Sequence, residues 1–278
     1  MSSSPPPAPS PLHIARASTS AATTRLPFTL GRTSAALPMI WGHRGAAHRD
    51  PDSGIVENTL AAFERARADG ADGIELDVRL CASGDVVVFH DDDLVRLAGR
   101  PERIDTLDWG AIQAVELARG ARIPRLDEVL ERFASELVIN IELKPTRART
   151  ADRLARAVVA AIARHRADSR VLISSFDPLL LAATRARAPH LPRGYLFHAE
   201  QGLALRRAWP SRALRVHALH PDSRLVTAER VRAWRRRRVS LQVWTVDQPD
   251  EIRRLAALGV DGIITNTPAL ARATLASK

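Results

Sequence analysis

The sequence predicts an α/β chain closed into a (β/α)8 TIM-type barrel, distorted by a β-hairpin and a short insertion after the second strand. Three observations predict it. From Met39 onward, short apolar runs alternate with longer helical patterns, the signature of repeated β-α units around a parallel sheet. Eight of those runs qualify as parallel strands, the number that closes such a barrel. The chain has 278 residues, and one barrel takes about 250. The rival is a doubly wound open sheet, but no glycine-rich phosphate loop follows the first strand.

The elements follow in order. The first strand is residues 39–42. A helix follows over residues 57–68, with Leu60, Phe63 and Ala66 at helical spacing and Gly70 as its stop. The second strand is residues 73–78. Ser83-Gly84-Asp85 then makes a turn too short for a crossover, so residues 86–90 return antiparallel as a hairpin. The loop after His90 is acidic, then mixed, and leads to a helix over residues 126–133. Further strands are residues 137–143, 171–175, 194–198, 216–219, 240–246 and 262–265, with helices centred near residues 158, 182, 205, 231 and 255.

Residues 39–278 thus form the barrel domain. Residues 1–38 are expected to be a disordered or artefactual extension. They are rich in Ser, Pro, Ala and Thr, too poor in apolar surface to offset their chain entropy. The absence of Asp and Glu before Asp50 also resembles a transit peptide, which is the competing reading. Met39 would make a natural start.

The formal net charge is +10, with Arg far outnumbering Lys. Such a balance suits nucleic acid, a small anionic substrate, or arginine-decorated helix faces. The third reading is preferred, because no nucleic-acid motif or aromatic interleaving accompanies the charge. The run Trp234-Arg235-Arg236-Arg237-Arg238 is read as the last turn of a helix, where cations suit the negative dipole end. No apolar stretch approaches the roughly 18 residues of a membrane helix, so no membrane anchor is expected. Cys81 is the only cysteine, which excludes an internal disulfide and fits a cytoplasmic setting; it is expected to be a surface or partly buried thiol without a role. Oligomeric state is not legible.

Barrels of this kind carry their chemistry at the C-terminal ends of the strands. There stand His43-Arg44-Gly45, Glu75 with Asp77, Glu142 with Lys144, and Trp244-Thr245. Residues two apart on a strand share a face, so Glu75 and Asp77 point together into the lumen, and Glu142 joins them. Three carboxylates crowded in a poorly solvated mouth repel, and a hard divalent cation relieves them. An all-oxygen set suits Mg²⁺ or Ca²⁺ better than Zn²⁺. Ion pairing with Arg or Lys is the alternative. The hairpin's return strand brings His90 to the same mouth, where it would face His43 across the cation and share acid and base work. Arg44 and Lys144 are placed to hold phosphate oxygens, and Trp244 to wall the pocket or fill the barrel core. His13, His48, His165, His190, His198, His217 and His220 are expected to be ordinary surface or core histidines.

These motifs together resemble the glycerophosphodiester phosphodiesterase family. The resemblance is carried by His43-Arg44-Gly45, Glu57-Asn58-Thr59, Glu75-Leu76-Asp77-Val78, Val88-Phe89-His90-Asp91, Glu142-Leu143-Lys144-Pro145, Ser174-Ser175-Phe176 and Val243-Trp244-Thr245-Val246. It spans residues 39–270. It implies a distorted barrel, catalytic histidines at His43 and His90, metal carboxylates at Glu75, Asp77 and Glu142, and a phosphate contact at Arg44. Lys144, Glu57 and Asn58 match residues at or near the substrate. Family members use Mg²⁺ or Ca²⁺ and release sn-glycerol 3-phosphate and an alcohol. The short insertion between Asp91 and Leu126 is similar to that of compact intracellular bacterial members. The chain departs from the pattern at Leu97-Ala98-Gly99, where threonines are common, and at Asn266, where Asp is common. Both departures are expected to lie clear of the cation and the histidines.

The expected partner is therefore a small glycerophosphodiester, with no nucleic acid. A lysophospholipid substrate is the nearest rival, and a non-catalytic basic protein that binds phosphate or nucleic acid is a more distant one.

Overall fold

The barrel closes along a short seam between its first two strands. In the computed structural model, which describes residues 37–47, 54–144 and 151–277, β1 (Met39–Gly42) pairs in parallel with β2 (Gly73–Leu80) through Trp41↔Gly73 and Gly42↔Ile74. The other strands are β3 (Val86–Val88), β4 (Val138–Leu143), β5 (Val171–Ser175), β6 (Arg193–Phe197), β7 (Ala218–Pro221), β8 (Ser240–Val243) and β9 (Gly262–Thr265). Eight of them run parallel in the closed order β1-β2-β4-β5-β6-β7-β8-β9. The ninth, β3, pairs antiparallel with β2 alone, at Val78↔Val88, Arg79↔Val87 and Leu80↔Val86. The expected barrel and hairpin are both present.

Helices α1 (Leu60–Ala68), α2 (Val95–Ala98), α3 (Trp109–Gln113), α4 (Leu126–Phe133), α5 (Ala151–Arg164), α6 (Pro178–Arg187), α7 (Leu203–Arg206), α8 (Pro210–Ala213), α9 (Ala228–Arg235), α10 (Pro249–Ala257) and α11 (Pro268–Ala276) fill the connections. Their apolar stripes form the outer core. In α4, Leu126, Val129, Leu130 and Phe133 are all buried against the sheet, each contributing about 1.5–3 kcal/mol. The Glu128 carboxylate accepts the Arg125 N–H at 2.8 Å and caps that helix. The insertion has its own small core, including Val87, Phe89, Leu94, Ile104 and Ile112, and Cys81 belongs to it. The thiol is therefore fully buried, a correction to its expected surface or partly buried position. No helix among the described residues is long and apolar enough to cross a membrane.

Inside the barrel, Trp41, Val138, Leu172, Ala218 and Ile264 form a layer. Trp41 Nε1 donates to Gln242 Oε1 at 2.8 Å across it. Strand glycines make room for these bulky groups: a Cβ on Gly262 would stand 1.7 Å from Gln242 Oε1, and one on Gly73 would stand 2.8 Å from the Trp41 ring.

Several boundaries differ from the sequence expectation. Helix α1 begins at Leu60 rather than residue 57, because Asn58 takes a left-handed φ of 58° and Thr59 caps the helix by accepting from the Ala62 N–H. Strand β3 stops at Val88, and the His90 carbonyl instead accepts the Arg79 guanidinium at 2.7 and 3.0 Å. Strand β7 starts two residues later than expected. Arg215, at φ 49°, and a Val216 N–H bonded to the Ser211 carbonyl keep Val216 out of the ladder, and His217 makes the first bonds to the neighbouring strands. Helix α9 ends at Arg235, so Arg236, Arg237 and Arg238 lie beyond its last turn. Residues 1–36 of the extension expected over 1–38, together with His13 and His48, lie outside the described residues.

Candidate active site

The β2–β4 register sets Asp77 beside Glu142 and Glu75 beside Asn140. Alternation along each strand turns these side chains to the lumen, where all four residues are buried. Glu75, Asp77 and Glu142 each offer an oxygen within 4.8 Å of the others. Lys144 Nζ lies 2.8 Å from Asp77 Oδ1 and 2.5 Å from Glu142 Oε1. The Arg44 backbone N–H donates to Glu75 Oε2 at 3.0 Å. The Arg44 guanidinium reaches Glu57 at 2.9 Å and Asp77 at 3.3 Å.

The electrostatics separate the three acids. Burial opposes ionisation of Asp77, but Lys144 and Arg44 outweigh it and hold its carboxyl well below the usual range. Burial and the Asp77 and Glu142 charges push Glu75 well above that range. Glu142 is also raised, by burial and by Asp77 against the pull of Lys144. Lys144 is raised, because the two carboxylates overcome its desolvation. The local cations therefore neutralise Asp77 and leave the other two acids under strain. Asn140 Oδ1 is a further buried oxygen, without a hydrogen bond among the described residues. This oxygen-rich, under-neutralised set fits a hard divalent cation.

The two histidines approach from different elements and have different partners. The residue after β1, His43, places Nδ1 2.7 Å from Asn266 Oδ1. The Asn266 side-chain amide in turn donates to Asp247 Oδ2 at 2.7 Å, and its backbone N–H donates to Asp247 Oδ1 at 2.8 Å. Burial, then the Arg44 charge, lowers the His43 imidazole to about 4. His90 instead places Nδ1 2.6 Å from Asp91 Oδ1, and Asp91 is gripped by Arg96. Burial lowers His90 as well, while the carboxylates Asp77 and Asp91 pull against it.

One cavity of about 320 Å³ joins these groups. His43, Arg44, Glu75, His90, Glu142 and Lys144 line it, and Phe176, Leu196, Trp244 and Ile264 supply apolar wall. A second cavity of about 620 Å³ shares His43, Arg44 and Thr245 with the first and continues past Glu57, Arg96 and Arg119. Trp244 lines the first cavity and also packs against the interior layer; its Nε1 donates to the His220 carbonyl at 2.8 Å, and its ring meets Phe176 edge-on at 5.4 Å.

The remaining sequence candidates divide. Glu57 stands in the second cavity, paired with Arg44 and Arg96. Asn58, grouped above with the substrate contacts, is turned inward by its left-handed backbone. It donates to Asp77 Oδ2 at 2.8 Å and accepts the Asp77 N–H at 3.2 Å, so it braces a carboxylate. Asn266 requires a correction: expected clear of the histidines, it is bonded to one of them. Sequence reasoning gave no role to Asp91, Asp247, Asn140 or Phe176. Asp91 and Phe176 stand in the motifs quoted above, while Asp247 and Asn140 carried no local signal. Among the other histidines, His165 pairs with Asp127 and His190 with Asp168, His217 accepts the Arg193 N–H, and His220 is buried in the barrel.

Residues 43–270 match the model of the glycerophosphoryl diester phosphodiesterase family. The chain belongs to this family. Among members of the glycerophosphoryl diester phosphodiesterase family, it is 37% identical over 233 residues to the glycerophosphodiester phosphodiesterase of Caldanaerobacter subterraneus subsp. tengcongensis, covering 80% of this chain and 93% of that one. It is 31% identical over 233 residues to that of Bacillus altitudinis, covering 80% and 94%. The glycerophosphodiester phosphodiesterase structure from Thermotoga maritima superposes with a TM-score of 0.68 at 29% identity, covering 84% of this chain and 97% of that one. An Oleispira antarctica phosphodiesterase, solved in complex with its product sn-glycerol-3-phosphate, shares the fold with a TM-score of 0.78 at 24% identity, covering 87% and 98%.

Proposed function

We propose that this chain hydrolyses glycerophosphodiesters to sn-glycerol 3-phosphate and an alcohol, with His43 and His90 dividing the proton transfers. The observation that carries this reading is the meeting of both histidines with Glu75, Glu142, Lys144 and Arg44 around one cavity, in a chain of this family. Glu75, Asp77 and Glu142 would hold Mg²⁺ or Ca²⁺, which when bound supplies Lewis-acid stabilisation to the phosphoryl oxygens.

The rest of the chemistry belongs to the chain's own groups. Asn266 commits its amide nitrogen to Asp247, so it presents oxygen to His43. Nδ1 of His43 must then donate, and Nε2 keeps a lone pair for the cavity. His43 is therefore the proton acceptor for the attacking hydroxyl, whether water or the substrate's own glycerol hydroxyl. His90 faces a carboxylate, which stabilises its imidazolium, and it protonates the leaving alcohol. Lys144 and Arg44 offset charge developing on the phosphate. The apolar wall of Phe176, Leu196, Trp244 and Ile264 favours one second reading, a lysophospholipid substrate. The buried lone thiol of Cys81 fits a cytoplasmic enzyme.

The test is hydrolysis of a panel of glycerophosphodiesters and a lysophospholipid, with and without Mg²⁺ and Ca²⁺, coupled to detection of glycerol 3-phosphate. Cation-dependent release from the water-soluble diesters is expected. Turnover of the lysolipid alone would install the second reading, and full activity after exhaustive chelation would remove the cation.

A further inference from the structure

Residues 202–215 connect β6 to β7 through α7 and α8, outside the barrel. Ala208, Ser211 and Leu214 face inward and fasten the segment. Its outer side is unusual. Leu203 is 46% exposed and Trp209 58% exposed, two of six large apolar side chains exposed among the described residues. Arg206, Arg207 and Arg212 are exposed on the same segment. A groove of about 1080 Å³ separates it from α9, which adds Arg230 and, just past its end, Arg236.

Many surface arginines are paired, including Arg224 at the edge of this groove, whereas scattered ones such as Arg153 and Arg170 are not, among the described residues. Arg65, Arg67, Arg103, Arg253 and Arg254 each sit against a carboxylate. Arg206, Arg207, Arg212 and Arg236 have no carboxylate within ion-pair distance among the described residues, and Glu229 is the one acid lining the groove. What sets this segment apart is the cluster: four unpaired guanidinium groups line one groove with exposed Trp209, and Leu203 is exposed on the same segment.

We infer that this face docks on an anionic phospholipid bilayer. Guanidinium groups take phosphate oxygens through paired N–H donors. Trp and Leu flanked by arginine are the side chains that enter the headgroup boundary, with their polar neighbours held at its surface. A single-stranded nucleic acid is the weaker occupant, because one exposed aromatic offers no succession of stacking platforms and Leu203 would remain in water. The face is separate from the hydrolytic site, so docking and turnover are independent properties.

Vesicle sedimentation of the full chain tests this, with phosphatidylcholine vesicles and vesicles one-quarter phosphatidylglycerol. Binding to the anionic vesicles is expected to be tighter by about tenfold or more and to weaken in high salt. Arg206→Glu/Arg207→Glu should lose about tenfold or more of that binding, and the milder Arg206→Ser/Arg207→Ser a smaller part. Trp209→Ser should weaken binding at low and high salt alike. Hydrolysis of a water-soluble diester should be unchanged in all three. Equal binding to both vesicle types, or charge variants that bind as the parent does, would overturn the inference. A single-stranded oligonucleotide held more tightly than the vesicles, and lost in the same variants, would overturn it in favour of nucleic acid.

Discussion

The Nδ1–H of His43 donates to the side-chain oxygen of Asn266 at 2.7 Å, across 223 residues of sequence. Asp247 fixes which way that amide faces. This neutral acceptor orients the imidazole and favours its charged form, but burial and the Arg44 charge outweigh it, so His43 remains neutral above about pH 4. Replacing the amide with a carboxylate should change the titration and keep the orientation. Asn266→Asp is expected to raise the His43 pKa, moving the acidic limb of the pH–rate profile upward by about one unit or more. Asn266→Ala should lower kcat about tenfold or more with little change in KM. An acidic limb that stays put in Asn266→Asp would remove Asn266 from this role.

The two histidines should be separable by leaving group. Each His→Ala variant is expected to lose about 10²-fold or more on a natural diester. A nitrophenyl ester needs no protonation to depart. Against it His90→Ala should recover most of its rate, while His43→Ala should not. Recovery by His43→Ala instead would exchange the acid and base roles.

Lys144 competes with a cation for Asp77 and Glu142. Lys144→Met should therefore tighten cation binding, by about tenfold, while weakening phosphate binding. Glu75→Gln should abolish the rise in Tm produced by Mg²⁺ or Ca²⁺. Thermal unfolding against cation concentration measures both, and a parental cation response in Glu75→Gln would exclude that residue as a ligand.

Gly262 is set by the barrel interior, since a Cβ there would stand 1.7 Å from Gln242 Oε1 and 2.7 Å from Trp41 Nε1. Gly262→Ala is expected to cost about 1–3 kcal/mol in urea unfolding. Adding Gln242→Ala to Gly262→Ala should cost less than the two single changes summed, because the second removes the clash. Strict additivity would show the interior relaxing another way.

His220 should make the fold acid-sensitive. It is fully buried, neither ring nitrogen has a hydrogen-bond partner among the described residues, and burial lowers it to about 3. Between the unfolded value of 6.5 and about 3, the unfolded chain binds a proton there and the folded one does not. Its contribution is thus fully present above pH 6.5 and is lost as pH falls, on the order of 1.4 kcal/mol per unit. His220→Leu should flatten stability against pH in that window by about one proton. An unchanged slope, read from urea midpoints, would mean His220 is hydrated in the folded state.

Local sequence was sufficient for the strand and helix alternation, for the hairpin at Gly84, and for the shared face of Glu75 and Asp77. Each of these is a property of period or turn chemistry within a few residues. Tertiary structure alone decided that Asn266 meets His43, that Asn58 turns in to brace Asp77, that Trp41 bonds to Gln242 across the lumen, and that His220 is fully buried. Those relationships depend on the register at which eight strands close on one another. Closure is a condition on the whole ring of backbone hydrogen bonds, and no single segment's periodicity contains it.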